Sequence, residues 1–323
     1  MVKVPDKLNL RMAHRKDMIP LLEFFQKSYP TLGWTKEFMK WQYFDNPAGE
    51  AKIWVCYDGK RLIGSVTALP HLVWVRNRKV IGYRIQDVLT DPDYRGQSIY
   101  RRLSMACYSF LDSEEEGVHF TFPNEKSDRV FREAGWSSVG EIPLWAVRPI
   151  KYRKKGIQPQ ESHLLETFSI AEENVWTYYR SAGFLGIDKN ASFLNWKYIN
   201  NPRARYQCYK VDQAQSSVVV ILKKFHDATG NILLHLCDLF YSRFEADELI
   251  NVLSFTHERA AAEKASVITT WIAPNNELAS LMSSVGFKYS PVVSRSYFLR
   301  SSNARAHSFF PCWNIRMGDS DVY

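Results

Sequence analysis

Hydrophobic periodicity divides the chain into two runs of elements that follow the same order. Leu8 to Met12 reads as a short strand, and Asp17 to Ser28 as a helix with Ile19, Leu22 and Phe25 inward. A second helical stretch carries Trp41 and Tyr43 and stops at Asn46-Pro47, because proline disfavours helix in the residue before it. Strand patterns cover Lys52–Tyr57 and Leu62–Leu69, joined by the hairpin signal Asp58-Gly59, then His71–Val75 and Lys79–Leu89. The period then changes: Ile99, Leu103, Cys107 and Phe110 recur at helical spacing. A strand at Val118–Phe122, a helix from Lys126 to Glu133 and a strand at Pro143–Val147 close this run. The second run has helices at Glu172–Ser181 and Ser192–Tyr198, then strands at Tyr206–Val211, Ser217–Phe225 and Ile232–Phe240. Helix Ala246–Lys264, strand Ser266–Trp271, helix Leu278–Ser284 and strand Val293–Leu299 complete it. Each run predicts a mixed α/β (α+β) domain, a mostly antiparallel sheet flanked by helices.

Two phrases mark the repeat. W-x-Y-x-x-N-P occurs as Trp41, Tyr43, Asn46, Pro47 and again as Trp196, Tyr198, Asn201, Pro202, with Phe38 and Phe193 three residues ahead. Pro123-Asn124 leads to Gly135-Trp136 as Pro274-Asn275 leads to Gly286-Phe287. The spacing far exceeds the roughly 20–50 residues of solenoid units, so it points to a duplicated domain. The expected organisation is a first domain over 1–150, a linker over 151–165, a second domain over 166–300 and a tail over 301–323. The linker holds the basic cluster Lys151, Arg153, Lys154, Lys155. The tail carries Phe309, Phe310, Pro311 and Trp313, which suggest that it docks. The repeated tryptophans read as core packing.

Composition narrows the class. A chain of 323 residues with 46% hydrophobic content can bury two cores. Five scattered cysteines (Cys56, Cys107, Cys208, Cys237, Cys312) lack the spacing of a disulfide framework or a zinc site. With no signal-peptide pattern and no apolar run of membrane-spanning length, the expectation is a cytoplasmic protein without membrane contact. The formal charge of +8 suits a phosphate-bearing ligand or an anionic partner, but no nucleic-acid motif accompanies it.

The runs differ where chemistry is expected. Asp87 and Asp238 end the longest strand of each. The first run then reads Thr90-Asp91-Pro92-Asp93-Tyr94-Arg95-Gly96-Gln97-Ser98-Ile99-Tyr100, whereas the second has no glycine there. A tight turn at Arg95-Gly96 entering a helix aims unsatisfied N–H groups and the positive end of the helix dipole forward, a site for phosphate. Arg101 and Arg102 add charge nearby.

In this context the segment resembles the acyl-CoA-binding motif of the GNAT N-acyltransferase superfamily, R/Q-x-x-G-x-G/A. Asn124, Phe131, Gly135 and Trp136 resemble its later N-x(6)-Y-x(3)-G-F phrase. The whole chain looks like a tandem GNAT protein. The resemblance implies cofactor binding by Val88, Leu89, Thr90, Arg95, Gly96, Gln97, Ser98, Ile99 and Tyr100, with acetyl-CoA or another acyl-CoA as donor substrate. It makes Asp87 the candidate base and Asn124 a candidate for positioning the CoA arm or a water; Tyr94 and His119 are further candidates. Three departures follow. Ser98 and Tyr100 stand at the two motif glycines, and Phe131, which cannot donate a proton, stands where many members have an acidic tyrosine. In the second run Met282 takes that place and the phosphate turn is missing. The expected function is acyl transfer, N-acetyl transfer first, to a small amine acceptor, which the basic balance allows to be anionic. The alternatives are a Fem-type aminoacyl transferase using aminoacyl-tRNA, or a non-catalytic acyl-CoA-binding or scaffold protein.

Overall fold

The structure is a computed structural model that describes residues 8–114, 117–150, 161–180, 184–273, 276–301 and 313–320. The first half contains β1 (Leu8–Met12), α1 (Met18–Ser28), α2 (Lys36–Tyr43), β2 (Lys52–Asp58), β3 (Arg61–Val75), β4 (Arg78–Thr90), α3 (Ile99–Ser113), β5 (His119–Thr121), α4 (Glu125–Glu133) and β6 (Ser137–Val147). The second contains β7 (Glu161–Leu164), α5 (Ile170–Tyr179), β8 (Leu185–Ile187), α6 (Ala191–Leu194), β9 (Gln207–Asp212), β10 (Ser217–His226), β11 (Ile232–Tyr241), α7 (Ala246–Ala262), β12 (Val267–Trp271), α8 (Leu278–Ser284) and β13 (Lys288–Arg300). The mixed α/β class is as expected. The basic cluster at 151–155, Pro274-Asn275 and the tail residues Phe309 to Pro311 lie outside the described residues.

All thirteen strands belong to one sheet, in the order β1-β2-β3-β4-β5-β13-β6-β12-β11-β10-β9-β7, with β8 on the far end of β3. The centre of that order holds an exchange. The last strand of the second half, β13, pairs with β5 of the first through Phe298–Thr121 and Leu299–Phe120. The last strand of the first half, β6, pairs with β12 of the second through Ile268–Val147 and Trp271–Leu144. Each half therefore completes its sheet with the other's strand. Arg300 fastens the exchange with a paired contact to Asp112 (2.6 Å) and a bond to the Ala134 carbonyl (2.8 Å).

Several elements depart from their periodicity. Ile19, expected inward, is 60% exposed, while Leu21, Leu22, Phe24 and Phe25 form the buried face of α1. The break expected at Pro70 does not occur, and β3 runs through it. Pro70 lies beyond Ala68, the last β3 residue paired with β2, so its missing N–H deprives no ladder on that side. Glu161–Leu164, inside the stretch read as linker, adds an edge strand to β9.

Residues in and just ahead of the repeated phrase have matching tasks in the two halves. Thr35 caps α2 by accepting from Phe38 N (3.1 Å), as Asn190 caps α6 by accepting from Phe193 N (2.9 Å). Asn46 accepts from Ala48 N and Asn201 from Arg203 N, both at 2.9 Å, so each asparagine folds the turn that follows its helix. The tryptophans meet between the halves, their rings stacked 4.8 Å apart and 16° from parallel.

Candidate functional site

The tyrosines of the phrase lead to the aspartates. Tyr43 Oη donates to Asp87 Oδ2 at 2.7 Å, and Tyr198 Oη donates to Asp238 Oδ2. Gln42 Nε2 (3.1 Å) and Gln86 Nε2 (2.8 Å) also reach Asp87 Oδ2. Three donors on one oxygen fix the direction of that carboxylate. The backbone at Asp87 is itself unusual, with φ at 49°, a left-handed value that costs a non-glycine residue about 1–2 kcal/mol. It lies in a bulge, since β4 slips register against β3 between the pairs Thr67–Gln86 and Ser65–Leu89.

Beyond the bulge β4 parts from its other neighbour. β4 and β5 run parallel but share a single register pair, Arg84–Phe120. Val88, Leu89 and Thr90 continue against β3 alone among the described residues, and they line a cleft of about 550 Å³. Its other walls include Tyr29 after α1, Arg95 and Tyr100 at the head of α3, and Asn124 and Val130 beside α4.

The turn into α3 faces this opening. Gly96 (φ 79°) and Ser98 (φ 60°) both adopt left-handed backbone, and a Cβ at Gly96 would meet nothing within 4 Å. Ser98 thus holds, at a cost, the conformation that the motif glycine adopts freely. Its side chain does not cap α3, and no acidic residue lies in the first turn. The leading N–H groups, the dipole and the exposed side chains of Arg95, Arg101 and Arg102 make this end electropositive. At the matching end of α7, Asp247 and Glu248 occupy the first turn and oppose an anion.

Of the residues expected to bind a cofactor, Val88, Leu89, Thr90, Arg95 and Tyr100 line the cleft, and Gly96, Gln97 and Ser98 form the turn beside it. Ile99 is buried against the core. Tyr100 also borders a second groove, about 720 Å³ between α3 and α4, and so separates the two spaces. Asn124 lines the cleft, while its Oδ1 caps α4 by accepting from Ser127 N (3.0 Å). Asp87 does not line the cleft; it lies within the bulge, one residue before Val88. Phe131 is buried against Trp136 and Phe298, their ring centroids 5.4 and 6.5 Å away. His119 is fully buried, accepting from Tyr83 N at Nδ1 (3.2 Å) with Nε2 against the Leu111 carbonyl (3.0 Å); burial lowers its pKa to about 4. Tyr94 donates to Asp58 (2.6 Å). No cluster of three potential metal ligands occurs among the described residues. No described helix is long and apolar enough to cross a membrane.

Periodicity did not single out Tyr29, which only shows its place once α1 is docked. Its phenol is raised in pKa by burial and by Asp87, against the opposing pull of Arg95.

The matching place in the second half is closed. Lys189, which aligns with Trp34, pairs with Asp238 and, at 3.0 Å, with Asp319 of the tail. Burial and Asp319 raise the Asp238 carboxyl, with Lys189 opposing. Gly318 lies so close that a Cβ there would stand 2.0 Å from the Tyr198 hydroxyl. The described part of the tail, with Trp313, Ile315 and Met317 buried, thus docks between the halves and fills the second site.

These features have counterparts in known proteins. The family model of the acetyltransferase (GNAT) domain matches residues 9–139. No curated protein sequence matches the chain. Among solved structures, a GCN5-related N-acetyltransferase from Anabaena variabilis is similar with a TM-score of 0.70 at 14% identity, over 93% of this chain and 74% of that one. A probable N-acyltransferase from Enterococcus faecalis gives 0.69 at 13% identity, over 93% and 74%. Saccharomyces cerevisiae N-myristoyltransferase with bound myristoyl-CoA gives 0.58 at 10% identity, over 92% and 83%. At such identities the likeness concerns the fold, whereas the family match falls on the half that holds the open cleft. Residues 9–139 are thus matched as an acetyltransferase (GNAT) domain, and they include the open cleft and the turn into α3.

Proposed function

We propose that the first half binds an acyl-CoA, acetyl-CoA foremost, and transfers its acyl group to the amine of a small acceptor. The observation that supports this reading most is the wedge between β4 and β5, bordered by the electropositive head of α3. In this reading the CoA pyrophosphate lies on the N–H groups after Gly96 with Arg95 beside it. The pantetheine arm runs along Val88–Thr90, whose backbone donors meet the oxyanion as the carbonyl is attacked. Asp87, directed by Tyr43, Gln42 and Gln86, takes the amine proton directly or through one water. Because Phe131 has no hydroxyl, Tyr29 protonates the departing thiolate; its raised pKa keeps the proton on the phenol at neutral pH. The second half, sealed by the tail, shapes the acceptor side. The duplication is then one of fold, with chemistry in one copy.

Thiol release from acetyl-CoA across an amine panel tests this reading, with Tyr29→Phe as the informative variant. The expected loss in kcat is about 10²-fold, the usual share of a general acid, with KM for acetyl-CoA unchanged. Binding without thiol release from any amine would instead favour a non-catalytic acyl-CoA-binding protein.

A further inference from the structure

The turn that carries the proposed phosphate site also carries two carboxylates. Asp91 is buried and lines the cleft, and Asp93 stands exposed two residues on. Both precede Arg95-Gly96 in one short segment, so each repels the pyrophosphate that the head of α3 attracts. Asp91 has a local task, since its Oδ1 caps the 92–94 turn by accepting from Asp93 N (3.1 Å). An asparagine would fold that turn as well, so the task does not require the charge. Burial pushes the Asp91 carboxyl up, but the bonds from Arg61 and Asp93 N hold it below its ordinary pKa, and it is ionised at neutral pH.

Arg61, at the start of β3, offsets both charges. Its Nη2 meets Asp91 Oδ2 at 2.8 Å and Asp93 Oδ2 at 2.6 Å, so one nitrogen bridges the two carboxylates. The guanidinium lies 5.2 Å from the Tyr94 ring centroid. Lys27, which also lines the cleft, adds a smaller pull on Asp91. Two further ties hold the turn to the β2–β3 hairpin: Tyr94 Oη donates to Asp58 Oδ2 at 2.6 Å, and Asp91 N donates to the Ile63 carbonyl at 2.8 Å. The turn is therefore anchored without Arg61, and what Arg61 adds to these ties is positive charge.

We propose that Arg61 is a positioning residue for the acyl-CoA: it neutralises Asp91 and Asp93 and so leaves the turn into α3 able to hold a phosphate. It acts on the nucleotide end of the donor and touches neither the acyl group nor the acceptor. The inference rests on the acyl-CoA reading above, which makes this turn the phosphate site.

Titration calorimetry of the full chain with acetyl-CoA tests it, with urea midpoints to verify folding. Arg61→Gln should weaken binding about tenfold, because it leaves two unopposed carboxylates beside the pyrophosphate. Arg61→Lys keeps the charge but loses the planar fork, and should cost no more than about threefold. The decisive variant combines Arg61→Gln with Asp91→Asn and Asp93→Asn. It has lost both ion pairs yet carries no uncompensated charge, and should bind within about threefold of the unaltered chain. A purely mechanical clamp predicts no such recovery, since the triple variant lacks the clamp. An affinity indifferent to Arg61→Gln, or a loss that the triple variant does not recover, would overturn the inference and leave the acyl-CoA reading intact. Failure of the unaltered chain to bind acetyl-CoA would overturn that reading and this inference with it.

Discussion

Trp41 and Trp196 each donate an indole N–H to the other's backbone carbonyl, at 2.7 and 2.9 Å. Equivalent residues of the two halves are thus joined by a reciprocal contact, as across a two-fold axis. Trp41→Phe keeps the ring and removes one donor, leaving the buried Trp196 carbonyl without it. The expected cost is about 1–3 kcal/mol, read as a lower denaturation midpoint. Trp41→Phe and Trp196→Phe combined should cost measurably less or more than their sum, since the two bonds share one stack. Strict additivity would speak against the coupling.

Asp87 and Asp238 align in sequence, yet their surroundings assign them different work. Asp87→Asn should lower kcat/KM by about 10²-fold or more while the midpoint shifts little, because asparagine can still accept from Tyr43. Asp238→Asn removes a partner of buried Lys189 and should cost about 3 kcal/mol of stability, with acetyl-CoA affinity preserved. Denaturation and steady-state kinetics on the same two preparations decide between these roles.

The exchange of β6 and β13 makes a firm demand on any dissection of the chain. Residues 1–150 alone lack the strand that covers β5. That fragment should show no cooperative unfolding transition, whereas co-expression with residues 151–323 should restore one. Independent folding of 1–150 would mean that β13 is dispensable.

Stability should fall on mild acidification, before most carboxylates titrate. His119 and His235 have pKa values near 4 in the folded chain, lowered by burial from about 6.5. Between those values the unfolded chain binds more protons, so each histidine's contribution is complete above about pH 6.5 and is lost as pH falls toward 4. The slope should be on the order of 1 kcal/mol per pH unit per histidine. Urea midpoints between pH 7.5 and 4.5 measure it, and a flat profile would exclude these groups.

Much of this organisation was legible in the chain. The phrase shared by Trp41 and Trp196 aligns the halves, and the alignment isolates Arg95-Gly96 as the feature present in one alone. The link from Tyr43 to Asp87 was less accessible, although Tyr198 and Asp238 repeat it, because hydrogen-bond partners some 40 residues apart leave no periodic trace. The exchanged strands were hidden for a related reason: alternation in β6 shows that one face is buried but not which strand lies beside it. Tyr29 follows the end of α1 and gains meaning only from the docking of that helix against β3, which brings Tyr29 to the cleft. Ser98 was seen as a departure from the motif; the left-handed backbone that it accepts belongs to the folded turn.

The central claim is that one half, through the turn at Arg95-Gly96, binds an acyl-CoA. Titration calorimetry of the full chain with acetyl-CoA, beside Arg95→Glu, tests it most directly. One site per chain is predicted, weakened about tenfold or more by the charge reversal. No binding, two sites per chain, or an affinity indifferent to Arg95→Glu would contradict the account.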